Sequence, residues 1–314
     1  MATYKEIHGT NIEVLSSDPS NPVEGQIWYN TTSQSLKGFA FVEGWATGGN
    51  LNTARSYLAG AGTQTVGLAM GGEGPAVETA TEEYNGSSWT AGGALGTARR
   101  NLAGAGTQTA GLAFGGRNPP PNSNATEEYN GSAWTAGGNL ATARYALAGA
   151  GTQTAGLAFG GNIGAPSYTS QNATEEYNGS AWTAGGNMGT ARYEIAGFGT
   201  QTAGLAAGGR PKTGATEEYN GSAWTAGGTM GTARIRVVGA GIQTAGLAFG
   251  GSEDPPNTAA TEKYDGTAWT AASDMISVIP GGMGSAGTQT AALGFGGGPT
   301  GGALTQTQEY GLFL

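Results

Sequence analysis

The chain predicts an all-β fold, a propeller of six four-stranded sheets, and three observations carry the prediction. A tyrosine and a tryptophan recur together at Tyr84/Trp89, Tyr129/Trp134, Tyr177/Trp182, Tyr219/Trp224 and Tyr264/Trp269, with 42 to 48 residues between successive tyrosines, the length of a four-stranded propeller blade. A Gly-Gly doublet precedes each tyrosine, at Gly71-Gly72, Gly115-Gly116, Gly160-Gly161, Gly208-Gly209 and Gly250-Gly251, and a sixth stands at Gly296-Gly297. Glycine supplies 61 of the 314 residues without a Gly-X-Y period and proline only 12, so the glycines are not those of collagen. Gly and Thr are spread through every unit and no segment holds a 3.6-residue apolar period, so helices are not expected.

In chain order, "GQIWYN" and "SLKGF" around "TTSQ" predict a hairpin within a first segment, residues 1–36, separate from a propeller over residues 37–314. Trp45 stands 44 residues before Trp89 and runs into the "GGNL.TAR" that follows the other tryptophans. The sixth unit, in contrast, stops after "TQTQEYGLFL" without a tryptophan strand. The strand of Trp45 is therefore expected to pair with the C-terminal strand, which closes the ring and leaves no open sheet edge at the seam. Within a unit, "YALAGAG" and "AGLAFGG" flank "TQT", and "ATEEY" and "AWTAGG" flank "NGS". Asn-Gly between apolar runs predicts a type I′ hairpin turn, with positive φ at both central residues. The same dipeptide makes glycosylation sequons at Asn85, Asn130, Asn178 and Asn220, for which the turn reading is preferred. Small residues in "LAGAGTQTAGLAFGG" suit an innermost strand crowded against a central axis.

Composition removes several function classes. Charged residues make up 11% with a net charge of -9, and no basic run points to nucleic acid. With no cysteine and one histidine, thiolate sites, most zinc sites and Ser-His-Asp triads are not available, and no cofactor or metal is expected. No apolar stretch reaches the length of a membrane span and the first residues lack an apolar signal region, so synthesis in the cytoplasm without export is expected.

The recurrent Gly-Gly, Tyr and Trp, with an arginine opening the next strand, resemble the kelch repeat of β-propellers over roughly residues 37–314. Relative to most animal kelch repeats the Tyr-to-Trp hairpin is short, and the last unit, "MISVIPGG", lacks the arginine. The copper radical oxidases of this fold need a cysteine and histidine ligands that this chain does not have. "SSDPSNPVEGQIWYNTTSQSLKGF" resembles a segment of bacteriophage tail-fibre and other virion proteins, and near-identical "ATEEYNGSAWTAGG" units resemble those of marine-phage virion proteins. These resemblances imply a virion protein present in several copies. Residues 1–36 would attach it to other virion proteins, and its propeller would bind a host-surface glycan; read from the residues, Trp28 and Tyr29 beside polar neighbours offer an anchor into a partner, or the hairpin packs on the propeller's own side. A decoration or spacer that binds only phage proteins is the alternative they leave open.

The glutamate pairs Glu82-Glu83, Glu127-Glu128, Glu175-Glu176 and Glu217-Glu218 repeat in each unit, and adjacent strand residues face opposite sides of a sheet. A catalytic dyad is therefore not expected from them. Glu253-Asp254 is the one acidic pair in a divergent loop that merits a test, and no enzyme activity is expected. Arg55, Arg99, Arg144, Arg192 and Arg234 each follow "TA" before an innermost strand. Two roles stay open for them: gripping an anionic ligand at the channel mouth, or neutralising the repeat glutamates. The segments between each Gly-Gly and its tyrosine strand diverge, and they share a face with the arginine loops. Arg117, Tyr168, Arg210 and Lys212 are the candidate ligand contacts there.

Overall fold

The computed structural model describes residues 12–22, 25–39, 42–118, 121–164, 169–298 and 302–313. They fall into two compact units, Met1–Glu43 with Leu312–Leu314, and Gly44–Gly311. The boundary expected after residue 36 thus lies after Glu43. No helix occurs among the described residues.

In the first unit, β1 (Glu13–Leu15), β2 (Ile27–Asn30) and β3 (Ser35–Gly38) form a sheet in that order. β2 and β3 are the antiparallel hairpin, with Tyr29 opposite Leu36, and β1 runs parallel to β2. Alternation along β2 buries Trp28 and Asn30 and turns Tyr29 outward. Asp18 ties the buried side together: Trp28 Nε1 (3.0 Å) and Asn30 Nδ2 (2.7 Å) donate to its Oδ1, and Lys37 Nζ donates to its Oδ2 at 2.7 Å. Lys37 first, then Asn30 and Trp28, hold the Asp18 carboxyl down at about 2.

The second unit is an all-β, propeller-like repeat of four-stranded sheets. After β4 (Val42–Thr47) come β5 (Ala59–Gly62), β6 (Gly67–Met70), β7 (Thr81–Tyr84) and β8 (Trp89–Ala91), which make sheet I. Sheet II is β9 (Ala103–Thr107), β10 (Ala110–Phe114), β11 (Thr126–Tyr129) and β12 (Trp134–Ala136). Sheet III is β13 (Ala148–Gly151), β14 (Gly156–Phe159), β15 (Thr174–Tyr177) and β16 (Trp182–Ala184). Sheet IV is β17 (Ala196–Thr200), β18 (Ala203–Ala207), β19 (Thr216–Tyr219) and β20 (Trp224–Ala226). Sheet V is β21 (Val238–Ile242), β22 (Ala245–Phe249), β23 (Thr261–Tyr264) and β24 (Trp269–Ala272). Sheet VI is β25 (Met283–Gly287), β26 (Ala292–Gly296) and β27 (Thr307–Phe313), and its fourth member is β4, so strands from opposite ends of the chain share one sheet.

Within sheets I to V every neighbour is antiparallel, and the register repeats: Tyr129 faces Trp134 as Tyr177 faces Trp182. The first strands pack in succession, β5 on β9, β9 on β13, β13 on β17, β17 on β21, β21 on β25 and β25 on β5. They come so close that a Cβ added at Gly149 on β13 would lie 2.7 Å from the Gly104 carbonyl of β9, which is why small residues dominate there.

Apolar burial lies between sheets. Leu112 and Phe114 of sheet II pack with Leu147, Ala158 and Tyr177 of sheet III, and the equivalent cluster between sheets VI and I holds Leu293 and Phe295 against Leu58, Tyr84 and Trp89. Three polar bonds repeat at these junctions. Each tryptophan Nε1 donates to a threonine of the preceding sheet, as Trp182 does to Thr126 Oγ1 at 2.9 Å. Glutamine of the "TQT" turn also reaches back: Gln153 Nε2 donates to the carbonyls of Gly111 (3.0 Å) and Tyr129 (2.6 Å). The third bond runs from tyrosine to glutamate and is described below.

The "NGS" turn differs from the expected type I′. Positive φ is confined to its glycine, Gly131 at 89°, the first central residue, as in a II′ turn. Asn130 stands one place earlier, where its Oδ1 accepts from the backbone N–H groups of Ser132 (3.0 Å) and Ala133 (2.9 Å). Its short acceptor side chain, rather than tolerance of positive φ, is what the turn uses.

Candidate functional site

The five repeat arginines are not ligand contacts, which corrects the first of the two roles left open for Arg55, Arg99, Arg144, Arg192 and Arg234. Each is completely buried. Arg99 Nη2 donates to Glu127 Oε1 at 2.8 Å, and its Nη1 donates to the carbonyls of Gly115 (3.0 Å) and Ala125 (2.7 Å). The same pattern joins Arg55 to Glu82, Arg144 to Glu175, Arg192 to Glu217 and Arg234 to Glu262, at 2.8 to 2.9 Å. Burial pulls each guanidinium below its ordinary pKa and the partner glutamate opposes that fall. The arginine thus pins the loop before a sheet's first strand to the second and third strands of that sheet. In sheet VI, where Pro280 stands near the arginine's place, Gln308 replaces the glutamate; its Oε1 accepts from Ile276 N at 2.9 Å.

The second glutamate of each pair faces the other way, toward the next sheet. Tyr177 Oη donates to Glu128 Oε1 at 2.5 Å and accepts from Gly138 N at 3.3 Å. Tyr129 reaches Glu83, Tyr219 reaches Glu176, Tyr264 reaches Glu218 and Tyr84 reaches Glu309 in the same way. Between sheets V and VI the glutamate is replaced by Lys263, whose Nζ lies 5.7 Å from the centroid of the Tyr310 ring. Both members of the repeat pair are therefore committed to the frame.

What the frame presents is a mouth. The first strands of all six sheets enclose a cavity of about 170 Å³. Its rim carries one residue from each unit: Tyr57, Asn101, Ala146, Glu194, Arg236 and Gly282. All six have left-handed backbone, the five non-glycine members at φ 51 to 55° and Gly282 at 70°. A belt of backbone bonds holds them there. Tyr57 N donates to Gly282 O (2.6 Å), Asn101 N to Tyr57 O (2.8 Å), Ala146 N to Asn101 O (2.8 Å), Glu194 N to Ala146 O (2.9 Å) and Arg236 N to Glu194 O (2.9 Å). Non-glycine residues at positive φ are costly and persist where the surroundings enforce them. These positions had no place among the sequence candidates. The signal was present nonetheless, since the residue two places after each repeat arginine differs in every unit while the residue after it stays aliphatic (Leu58, Leu102, Leu147, Ile195, Val237).

The divergent loops lie beside this rim. The residue after each arginine bridges the residue after the Gly-Gly doublet, as Arg100 does Arg117, Tyr145 does Asn162 and Tyr193 does Arg210. Arg210 makes a two-toothed pair with Asp254 (3.2 and 3.3 Å), and its Nε reaches Glu194 Oε2 at 3.4 Å. Arg236 Nε donates to Glu194 Oε1 at 3.0 Å. Burial opposes the charge on Arg236, Glu194 and Tyr57 together outweigh it, and the guanidinium lies above its ordinary pKa. Arg100 pairs with Glu73, and Arg100 and Arg236 stand 6.0 and 5.9 Å from the centroid of the Tyr57 ring. Lys212 Nζ donates to Glu253 O at 2.7 Å. Arg117 lies over the ring of Tyr145, 4.1 Å from its centroid. Tyr168 lies outside the described residues.

Two further expectations change. Trp28 is only 5% exposed, its indole spent on Asp18, so it does not offer the outward anchor expected of it; Tyr29 does face solvent. Asp254 of the Glu253-Asp254 pair is bound to Arg210. Among the described residues no group of three or more His, Cys, Asp or Glu side chains is placed to hold a metal. In comparisons with known protein families and with curated proteins, the chain matches none.

Proposed function

We propose that the chain is a closed six-bladed, kelch-like propeller acting as the adhesive head of a bacteriophage tail fibre or other virion surface protein, with a host-surface glycan bound at the channel mouth. Closure is supported by the tryptophan-to-threonine bond, which recurs at all six junctions including that between sheets VI and I. The function rests on one contrast. The frame of each unit repeats nearly residue for residue, while the six left-handed rim positions carry Tyr, Asn, Ala, Glu, Arg and Gly. A rigid frame carrying divergent side chains around one opening is the arrangement of a recognition surface, and several copies per particle would raise a weak single-site affinity through avidity.

Labelled full-length protein added to intact host bacteria tests this reading. Saturable binding that slows phage adsorption, and that is lost in an Arg210→Ser, Lys212→Ser variant but kept in Thr109→Lys on the opposite turn face, is the expected result. Absence of binding, with the protein held only by other virion subunits, would make it a decoration or spacer instead.

A further inference from the structure

We propose that Arg117 is the anion-recognising residue of the mouth face and that its ligand group is the carboxylate of an acidic sugar. The sugar rests on the adhesive reading above; the carboxylate rests on the following charge arrangement. The chain has nine arginines, and eight of them form ion pairs. Arg117 alone, among the described residues, has no carboxylate within reach. Three acids of this face are already taken: Glu73 by Arg100, Glu194 by Arg236 and Arg210, and Asp254 by Arg210. In a chain of net charge -9, this leaves one arginine of the face without an ion pair, and it is half-buried.

The guanidinium is also held in a fixed attitude. It lies over Tyr145 at 4.1 Å, its Nε is buried without a hydrogen-bond partner, and its backbone exchanges two 2.9 Å hydrogen bonds with Arg100. Stacking fixes the plane of the fork and leaves its outer nitrogens for a planar two-oxygen acceptor. One guanidinium balances one negative charge, which suits a carboxylate better than a dianionic phosphate. Next to Arg100 stands Asn101 on the rim, at φ 53°. Its side-chain amide makes no hydrogen bond among the described residues, and it offers both a donor and an acceptor to sugar hydroxyls.

Calorimetric titration of the full chain with glucuronate, glucose, sulfate and inorganic phosphate, at fixed ionic strength, tests the assignment. The expected result is that glucuronate binds and glucose does not, with Arg117→Gln weakening glucuronate at least about tenfold at an unchanged unfolding midpoint. Arg117→Lys, which keeps the charge and loses the planar fork, should weaken it as well, and Thr109→Lys on the opposite turn face should leave it unchanged. Equal binding of glucose and glucuronate, or an Arg117→Gln variant that binds glucuronate normally, would overturn the proposal. Tighter binding of sulfate or phosphate would overturn the carboxylate. If the protein attaches to bacteria but glucuronate neither binds nor competes, this inference falls and the adhesive reading stands. Glucuronate bound through Arg117 by a protein that ignores bacteria would uphold the carboxylate site and remove the adhesive reading.

Discussion

Trp89 Nε1 donates a 3.0 Å hydrogen bond to Thr307 Oγ1, 218 positions away, and this is the same bond by which Trp182 holds Thr126 in the middle of the chain. Both indoles donate into an interface between sheets, where an unsatisfied N–H costs about 1–3 kcal/mol. Thr307→Val and Thr126→Val keep the side-chain volume and remove the acceptor. Each is expected to lose that amount in urea unfolding, by nearly equal steps. A loss at Thr126 with none at Thr307 would mean that sheets VI and I are not docked in solution.

Arg144 and Glu175 separate stability from recognition. Taking away one partner leaves a buried charge uncompensated, so Arg144→Met is expected to cost about 3–5 kcal/mol. Adding Glu175→Leu removes the orphaned charge, and the double variant should recover most of that loss. Ligand binding at native temperature should be the same in the double variant as in the parent, because this arginine never reaches the mouth. Unfolding free energies of the three proteins, with a binding measurement on the double variant, check both statements.

The repeat made most of the frame legible. Tyr, Trp and Gly-Gly are large or conformationally special residues whose spacing gives the sheets, and an end strand without its tryptophan implied the shared sheet of β4 and β27. The two glutamates were readable as frame contacts because alternate strand residues face opposite ways. What escaped was chemistry carried by small motifs with more than one use. Gln153 looks like a polar turn residue, and only the closeness of the preceding sheet turns its amide into a double donor. The Asn-Gly pair suggests positive φ at Asn130, which serves instead through its side-chain oxygen. Tyr57, Asn101, Glu194 and Arg236 share no residue type, so a search for recurring chemistry passes over them. Their common property is a backbone angle.

Alkaline pH should unfold the protein through its junction tyrosines. Burial first, and then the glutamate each one bonds, push Tyr84, Tyr129, Tyr177, Tyr219 and Tyr264 up to about 12. An unfolded tyrosine ionises near 10, so the unfolded state loses protons first. The stabilisation is complete below about pH 10 and is lost progressively as pH rises toward 12. Circular dichroism should therefore fall in one cooperative step within that window, and five of the chain's twelve tyrosines should ionise with it. Ionisation of all twelve tyrosines, rising smoothly from pH ~10 with the fold intact, would show these hydroxyls to be free.

Ala146 tests whether the rim is strained in solution. It sits at φ 51°, where an alanine Cβ crowds the following carbonyl at a cost of about 1–2 kcal/mol, and it has no functional group to offer a ligand. Ala146→Gly relieves that crowding while adding about 0.5–1 kcal/mol of unfolded-state entropy. The net expectation is a gain of up to about 1.5 kcal/mol in unfolding free energy with binding unchanged. At Ala103, on β9, the backbone is an ordinary strand with no crowding to relieve, so Ala103→Gly should cost stability through the same entropy and the loss of a buried methyl. Opposite signs for the two variants follow only if the left-handed belt exists in solution, because in any other conformation both substitutions loosen the chain alike. A destabilised Ala146→Gly would therefore remove the belt, and with it the reason for reading the rim positions as enforced.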